Sequence, residues 1–225
     1  MTALREAMAL LLGGDADIWW TIGATLRFSL SATFFSALLG VPSGALLFLS
    51  RFRGRRIAVA FMNACMAIPT VVIGLFVYSL ISRSGPLGSL NLLYNPGGVI
   101  LGQSLLAFPL ITAMAYTGLQ KLDPRYHETL LTLGASRRRR MSAILREGRL
   151  VVLQALLIGF GRIIGEVGVA MMLGGNIHRQ TRTMTTAIAL DAGKGEFERA
   201  LALGLVVLSL ALIINLLSQL VVRDA

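Results

Sequence analysis

Arg162 and Glu166 stand four residues apart in the stretch "GFGRIIGEVGVAMMLGG", where nearly every neighbour is apolar or glycine. Four residues is about one helical turn, so the two side chains share a face and can form an ion pair. A lone charge at mid-bilayer costs about 3 kcal/mol on insertion scales, and pairing lowers that cost. The pair admits two readings: a buried clasp that holds helices together, or the lining or gate of a path. Gly161 and Gly165 in the same stretch, like Gly40 and Gly44 earlier, are spaced to let another helix approach closely. Gly159 and Gly161 begin like a dinucleotide fingerprint, but Gly165 falls one residue late and the run follows no strand.

Other chemistries are poorly supplied. Gly193-Lys194 lacks the upstream glycine and the following Ser or Thr of a nucleotide-binding loop, and neither an HExxH run nor paired membrane aspartates occur. His127 and His178 have no companions at ligand spacing, and the single Cys65 excludes an intrachain disulfide and a cysteine metal site. No catalytic or metal-ligating residue is expected.

The elements that must carry the Arg162–Glu166 pair are membrane helices. Of 225 residues 55% are hydrophobic and 14% charged, with a mean hydropathy of +0.73, too apolar for an ordinary soluble domain. A spanning helix needs about 20 mostly apolar residues. Five stretches qualify: 28–49, 57–82, 98–119, 150–173 and 200–222. Trp19-Trp20 suits a membrane interface ahead of the first. Residues 1–14 are read as an amphipathic surface helix with Leu4, Met8 and Leu11 on one face. Pro69 and Pro109 each remove a backbone donor in mid-span, as a static kink or a pivot. The connectors 82–98 and 174–199 read as turn-like loops, and the whole chain as one domain.

Twenty-one Lys and Arg against eleven Asp and Glu raise nucleic-acid binding as a possibility. The positions of the charges argue otherwise. Thirteen lie in loop 50–56, loop 120–149 and the tail, against six on the opposite side, which places the N-terminus outside and the C-terminus in the cytoplasm. No aromatics interleave the run Arg137 to Arg140, so the basic balance reads as orientation and contact with membrane lipid, with no nucleic-acid partner.

Loop 120–149 carries a family resemblance. "ETLLTLGA", Glu128 to Ala135, followed by Ile144, resembles the cytoplasmic EAA loop of binding-protein-dependent ABC importer permeases. Glu128, Gly134 and Ile144 match that pattern, whereas Thr129 and Leu130 replace its alanines and Arg146-Glu147 its Leu-Pro. "GEVGVAMMLGGNI" with "TRTMTTAIAL" is similar to the permeases of the molybdate, sulfate and tungstate importers, and most like the tungstate branch.

The resemblance implies an all-α membrane protein of the type I importer permease (MetI-like) fold, working as a homodimer. It implies two partners: cytoplasmic ABC ATPase subunits that use ATP-Mg, and an extracytoplasmic oxyanion-binding protein. This chain itself would bind no cofactor. Glu128, Leu130, Leu133, Gly134, Ala135 and Ile144 would form the ATPase-coupling segment. For an oxyanion, the path would run past Arg162 and Glu166 to the amides near Gly174, Gly175 and Asn176 and the hydroxyls of Thr181, Thr183, Thr185 and Thr186. Arg179 or Arg182 would stand at its outer end. Molybdate or sulfate is the near alternative. A stand-alone secondary transporter or channel using Arg162 and Glu166 is the distant one, disfavoured by the lack of an inverted repeat.

Overall fold

The computed structural model describes residues 2–50 and 52–223. Arg51 and the side chains of Leu4, His127 and Arg223, which figure in the sequence reading, lie outside the described residues. Every regular element among the described residues is helical. In chain order they are α1 Thr2–Leu12, α2 Ala16–Leu49, α3 Arg55–Ala67, α4 Thr70–Ile81, α5 Pro96–Leu119 and α6 Pro124–Thr132. They continue as α7 Arg137–Glu147, α8 Arg149–Ile164, α9 Gly168–Gly174, α10 Met184–Lys194 and α11 Phe197–Arg223.

Three helices, α2, α5 and α11, are each long and apolar enough to cross a membrane alone. The stretches expected as single spans at 57–82 and 150–173 are each broken. α3 and α4 meet at a bend of 99°, α8 and α9 at 63°, and counting each pair as one crossing makes five. The first break has a simple cause. Proline disfavours the helical region for the residue before it, and Ile68 is extended at φ −67°, ψ 130°. Pro69 then starts α4, its carbonyl accepting the Val72 amide at 2.9 Å, so it caps a helix instead of kinking one. Pro109 lies buried inside the uninterrupted α5, as Pro42 lies inside α2.

α5 is the hub, packed by α2, α3, α4, α8 and α9. Its tightest neighbour is α2, which runs parallel to it: Ser36 Oγ donates to the Ser104 carbonyl at 2.8 Å, and further along Gly44 meets Thr112 and Ala115. A Cβ on Gly44 would lie 2.7 Å from the Thr112 carbonyl oxygen, so only glycine permits this approach. α2 is about 51 Å long at 1.5 Å per residue, against about 30 Å of hydrocarbon. Arg27 shares a cavity with Asn95 and Pro96 at the start of α5, so the first three turns of α2 extend beyond that level.

Two peripheral pieces differ from expectation. α1 packs on α11 through buried Ala7 with Leu10 and Leu11, while Met8, expected on the inward face, is exposed. The 174–199 connector is no open loop but contains α10, which buries Met184, Thr185, Thr186, Ala187 and Asp191.

Candidate functional site

The two helix breaks meet. A Cβ on Gly168, at the start of α9, would lie 2.7 Å from Thr70 Oγ1 and 3.1 Å from the Val71 amide nitrogen at the start of α4. One turn further on, Gly74 is packed by Met172 and Val169. α9 is wedged from the other side by α5, where a side chain on Gly102 would run into Leu173 and Val169. Glycines thus let two short half-helices and one long helix converge, the close contact that larger residues would prevent.

Glu166 occupies the second break. Its carboxylate accepts from Arg162 Nη1 at 2.8 Å through Oε2 and from the Val169 amide at 3.2 Å through Oε1, so it closes an ion pair and caps α9 at once. Its backbone carbonyl accepts from Thr185 Oγ1 at 2.7 Å, which ties the break to α10. The Glu166 side chain is 3% exposed and that of Arg162 46%. Arg162, Gly165 and Val167 form the uncovered side of the break.

The residues expected along the outer part of a path are otherwise engaged. Thr181 is buried, its hydroxyl donating to the Gly174 carbonyl and accepting from the Ile177 amide at 3.0 Å. Thr183 and Thr186 form a reciprocal cap at the start of α10, the Thr183 amide donating to Thr186 Oγ1 at 2.9 Å. Asn176 adopts φ +52° and clamps Thr186, accepting its hydroxyl at 3.0 Å and donating to its carbonyl at 3.2 Å. Gly175 ends α9 at φ +69° with the Tyr94 ring where a Cβ would be, and the Tyr94 amide donates to the Leu173 carbonyl at 2.8 Å. Tyr94, in the α4–α5 connector, is raised above the ordinary tyrosine range by its hydrogen bond with Tyr78. Hydroxyls and amides so satisfied are structural donors already in use.

Arg179 donates through Nε and Nη2 to Asp17 Oδ1 at 3.0 and 2.8 Å, with His178 Nε2 3.5 Å from the same oxygen. Arg182 approaches His178 instead, at 3.3 Å. Arg179 also lines a cavity of about 380 Å³ at the start of α5 together with Arg27, Trp20, Asn95 and Gln180. Arg27 is exposed and joins none of the ion pairs formed among the described residues. Sequence reasoning missed that cavity because its residues are separated along the chain. It also missed Thr25, whose Oγ1 accepts the Met184 amide at 2.8 Å; a hydroxyl in an apolar helix was the available signal.

At the opposite end α6 and α7 form a helical hairpin. The Ala135 amide reaches the Leu130 carbonyl at 3.0 Å and the Gly134 amide the Leu131 carbonyl at 3.0 Å, with Gly134 at φ +65°. This is a Schellman stop, and it requires a left-handed residue where Gly134 stands. Ser136 then caps α7, its hydroxyl accepting the Arg139 amide at 3.4 Å. The six residues of the expected coupling segment separate into two groups. Leu130 packs inward on Ala45, Leu119 and the fully buried Ile144, whereas Glu128, Leu133 and Gly134 face outward and Ala135 is half-buried. Leu133 is 76% exposed and is joined by Leu131, not Leu130, as the outward apolar edge.

Comparison with known proteins agrees with this architecture. The chain is 36% identical over 211 residues to the tungstate uptake system permease protein TupB of Peptoclostridium acidaminophilum, covering 94% of this chain and 92% of that one. It is 33% identical to the TupB of Campylobacter jejuni, covering 96% and 90%. The molybdenum transport system permease protein ModB of Haemophilus influenzae is 28% identical, covering 88% and 90%. In fold the chain is similar to an inward-facing structure of the MetNI methionine ABC transporter, with a TM-score of 0.73 over 94% of this chain and 98% of that one at 19% identity. The profile of the binding-protein-dependent transport system inner membrane component family matches residues 33–225. A half-helix pair broken at Glu166, packed on another broken at Pro69 and presented with a capped α6–α7 hairpin, is therefore the membrane part of a multi-pass transporter, and the chain belongs to the inner membrane component family of binding-protein-dependent transport systems.

Proposed function

We propose that this chain is the permease subunit of an ATP-driven tungstate importer, and that two copies enclose the path. The observation that carries the transport reading is the meeting of the two breaks at Thr70 and Gly168, with the Arg162 guanidinium on their uncovered side. Irregular backbone at membrane depth is tolerated where it lines a cavity or protein, and a charge there faces the same surroundings. The similarity to two tungstate permeases over nine-tenths or more of each chain supports the choice of substrate.

In this reading an external binding protein delivers the anion to the outer mouth, beside Arg27 and Gln180. Arg162 is the cation on the path. Glu166 holds Arg162 in place and caps α9, while Gly174, Gly175, Asn176, Thr181 and Thr183 shape the outer end through their internal hydrogen bonds. Pro69 marks the hinge between α3 and α4, and Pro109 lies buried within the hub helix. Partner ATPases binding ATP-Mg in the cytoplasm press on Leu131 and Leu133, and the movement passes through Leu130 and Ile144 into the helix ends. The thirteen-to-six bias of basic residues supports an outside N-terminus and a cytoplasmic C-terminus. No part of the reading asks the chain itself to hydrolyse ATP.

The test is uptake into proteoliposomes holding the permease, its ATPase and its binding protein. ATP-dependent tungstate accumulation, outcompeting molybdate and sulfate, is expected. Uptake without ATP would defeat the importer reading, and equal uptake of the three anions would defeat the tungstate assignment. The second reading, molybdate or sulfate as cargo, draws on the 28% identity to ModB and on the 27% identity to the sulfate permease CysT of Salmonella typhimurium.

A further inference from the structure

The connector between α4 and α5 has no part in the path, yet it encloses a cavity of its own. A space of about 560 Å³ lies between the end of α4 and the start of α5, lined by Tyr78, Arg83, Ser84, Asn91, Tyr94 and Asn95 among others. Arg83 is the only charged residue of the stretch 82–98. It is exposed, no carboxylate lines the cavity, and Arg83 makes neither a hydrogen bond nor an ion pair among the described residues.

The connector is held in a fixed shape. Its Leu87 amide folds back onto the Leu80 carbonyl at 2.9 Å, and Asn95 Nδ2 donates to the Asn91 carbonyl at 2.6 Å. Asn91 and Tyr94 stand at φ +48° and +59°, a left-handed conformation rare for a residue as bulky as tyrosine, so the surrounding contacts must hold it there. Two of those contacts are on α9: the Tyr94 ring covers Gly175, and the Tyr94 amide reaches the Leu173 carbonyl. Gly88, which lines the cavity, opens a short 3-10 turn on which Leu90 is exposed, as is Leu87 just before it. Arginine beside exposed apolar side chains is a composition that protein interfaces favour.

Asn95 lines both this cavity and the one that holds Arg27 and Gln180, so the two spaces adjoin at the start of α5. We propose that the Arg83 cavity seats an acidic side chain of the external binding protein, which delivers its anion to the neighbouring cavity; the inference rests on the importer reading above. The cavity supplies a guanidinium with no counter-charge, and a carboxylate matches a guanidinium through two parallel hydrogen bonds. Docking there bears on a connector whose Tyr94 holds the end of α9, and the start of the same short helix is capped by Glu166. Arrival of the binding protein is thereby felt at the break beside Arg162.

The test is the association kinetics of the tungstate-loaded binding protein with the permease–ATPase complex in lipid nanodiscs. Arg83→Gln should weaken association about thirty-fold, chiefly through faster dissociation, at an unchanged melting temperature. Arg5→Gln, which removes an exposed arginine of α1 on the same proposed side, should leave the affinity as it is. A photo-crosslinking residue in place of Ser84 should capture the binding protein, and reversing the charge of the acidic residue that it marks should rescue Arg83→Glu. Unchanged affinity in Arg83→Gln, equal weakening by Arg5→Gln, or a change confined to the association rate would each overturn the seat, the last two marking long-range steering. Crosslinks to lipid alone would assign the cavity to headgroups and overturn it as well. Any of these failures leaves the importer reading standing when the unaltered complex accumulates tungstate with ATP. An unaltered complex that neither binds the protein nor takes up tungstate would overturn both.

Discussion

Arg162 Nη1 and Glu166 Oε2 are 2.8 Å apart across the end of a helix, not along its side. α8 stops at Ile164, and the Glu166 amide still reaches back to the Ile163 carbonyl at 2.9 Å, so the one-turn spacing survives into the break. The carboxylate is buried and the guanidinium partly exposed, and this asymmetry determines what each mutation does.

Arg162→Ala leaves a buried carboxylate with only the Val169 amide, a loss of about 3–5 kcal/mol by comparison with other broken buried pairs. Adding Glu166→Ala removes the uncompensated charge, so the double variant should unfold at a higher temperature than Arg162→Ala alone. Thermal unfolding of the purified protein checks the order. If both variants are equally stable and equally unable to transport, the importance of Arg162 lies in the path and not in the clasp.

Gly168→Ala should destabilise the meeting of the breaks by about 1–3 kcal/mol, the usual cost of overpacking, because its Cβ meets Thr70 Oγ1 and the Val71 backbone. Gly165→Ala meets nothing within 4 Å at φ −89° and should be nearly silent in the same unfolding assay. Equal effects would mean that α4 and α9 do not touch as described.

At Gly134 the space is open and only φ +65° matters, so Gly134→Ala should cost about 1 kcal/mol of hairpin stability and Gly134→Asn less. Recovery of the ATPase on co-purification should follow the same ranking.

Leu133→Asp and Leu130→Asp should part company. The first changes an exposed side chain and should abolish ATPase association while leaving the melting temperature unchanged. The second places a carboxylate against Leu119 and Ile144 and should lower the melting temperature itself. A folded Leu133→Asp protein that still recovers ATPase would move the docking surface away from this edge.

Thr181→Val removes a hydroxyl that serves Gly174 and Ile177, leaving a buried carbonyl unpaired at about 1–3 kcal/mol and a part-buried amide that water can reach. The surviving folded protein should take up tungstate with unchanged KM. A raised KM in a fully folded variant would make Thr181 an anion contact.

Much of the site was legible because its signals are local. Glu166 follows Arg162 by one turn, Gly134 sits where a helix must stop, and Pro69 follows a residue that cannot stay helical. Each rule concerns neighbours within about five residues, and such rules hold before tertiary packing acts. The internal hydrogen bonds of the threonines were not legible for the opposite reason. Composition cannot tell a solvated hydroxyl from one capping α10 or bonded to Gly174, since both sit in a polar stretch between apolar ones.

By itself, then, the sequence determined that the chain is a bundle of membrane helices, which loops carry the basic residues, that Pro69 perturbs the second span, and that Arg162 and Glu166 share one turn. Hydrophobic length and one-turn spacing suffice for those. Only the tertiary structure decided that the two breaks touch at Thr70 and Gly168, that Leu130 faces in while Leu133 faces out, and that Arg27 and Arg179 line one cavity. Those facts depend on which helices become neighbours around α5, a choice made by glycine contacts among residues tens of positions apart.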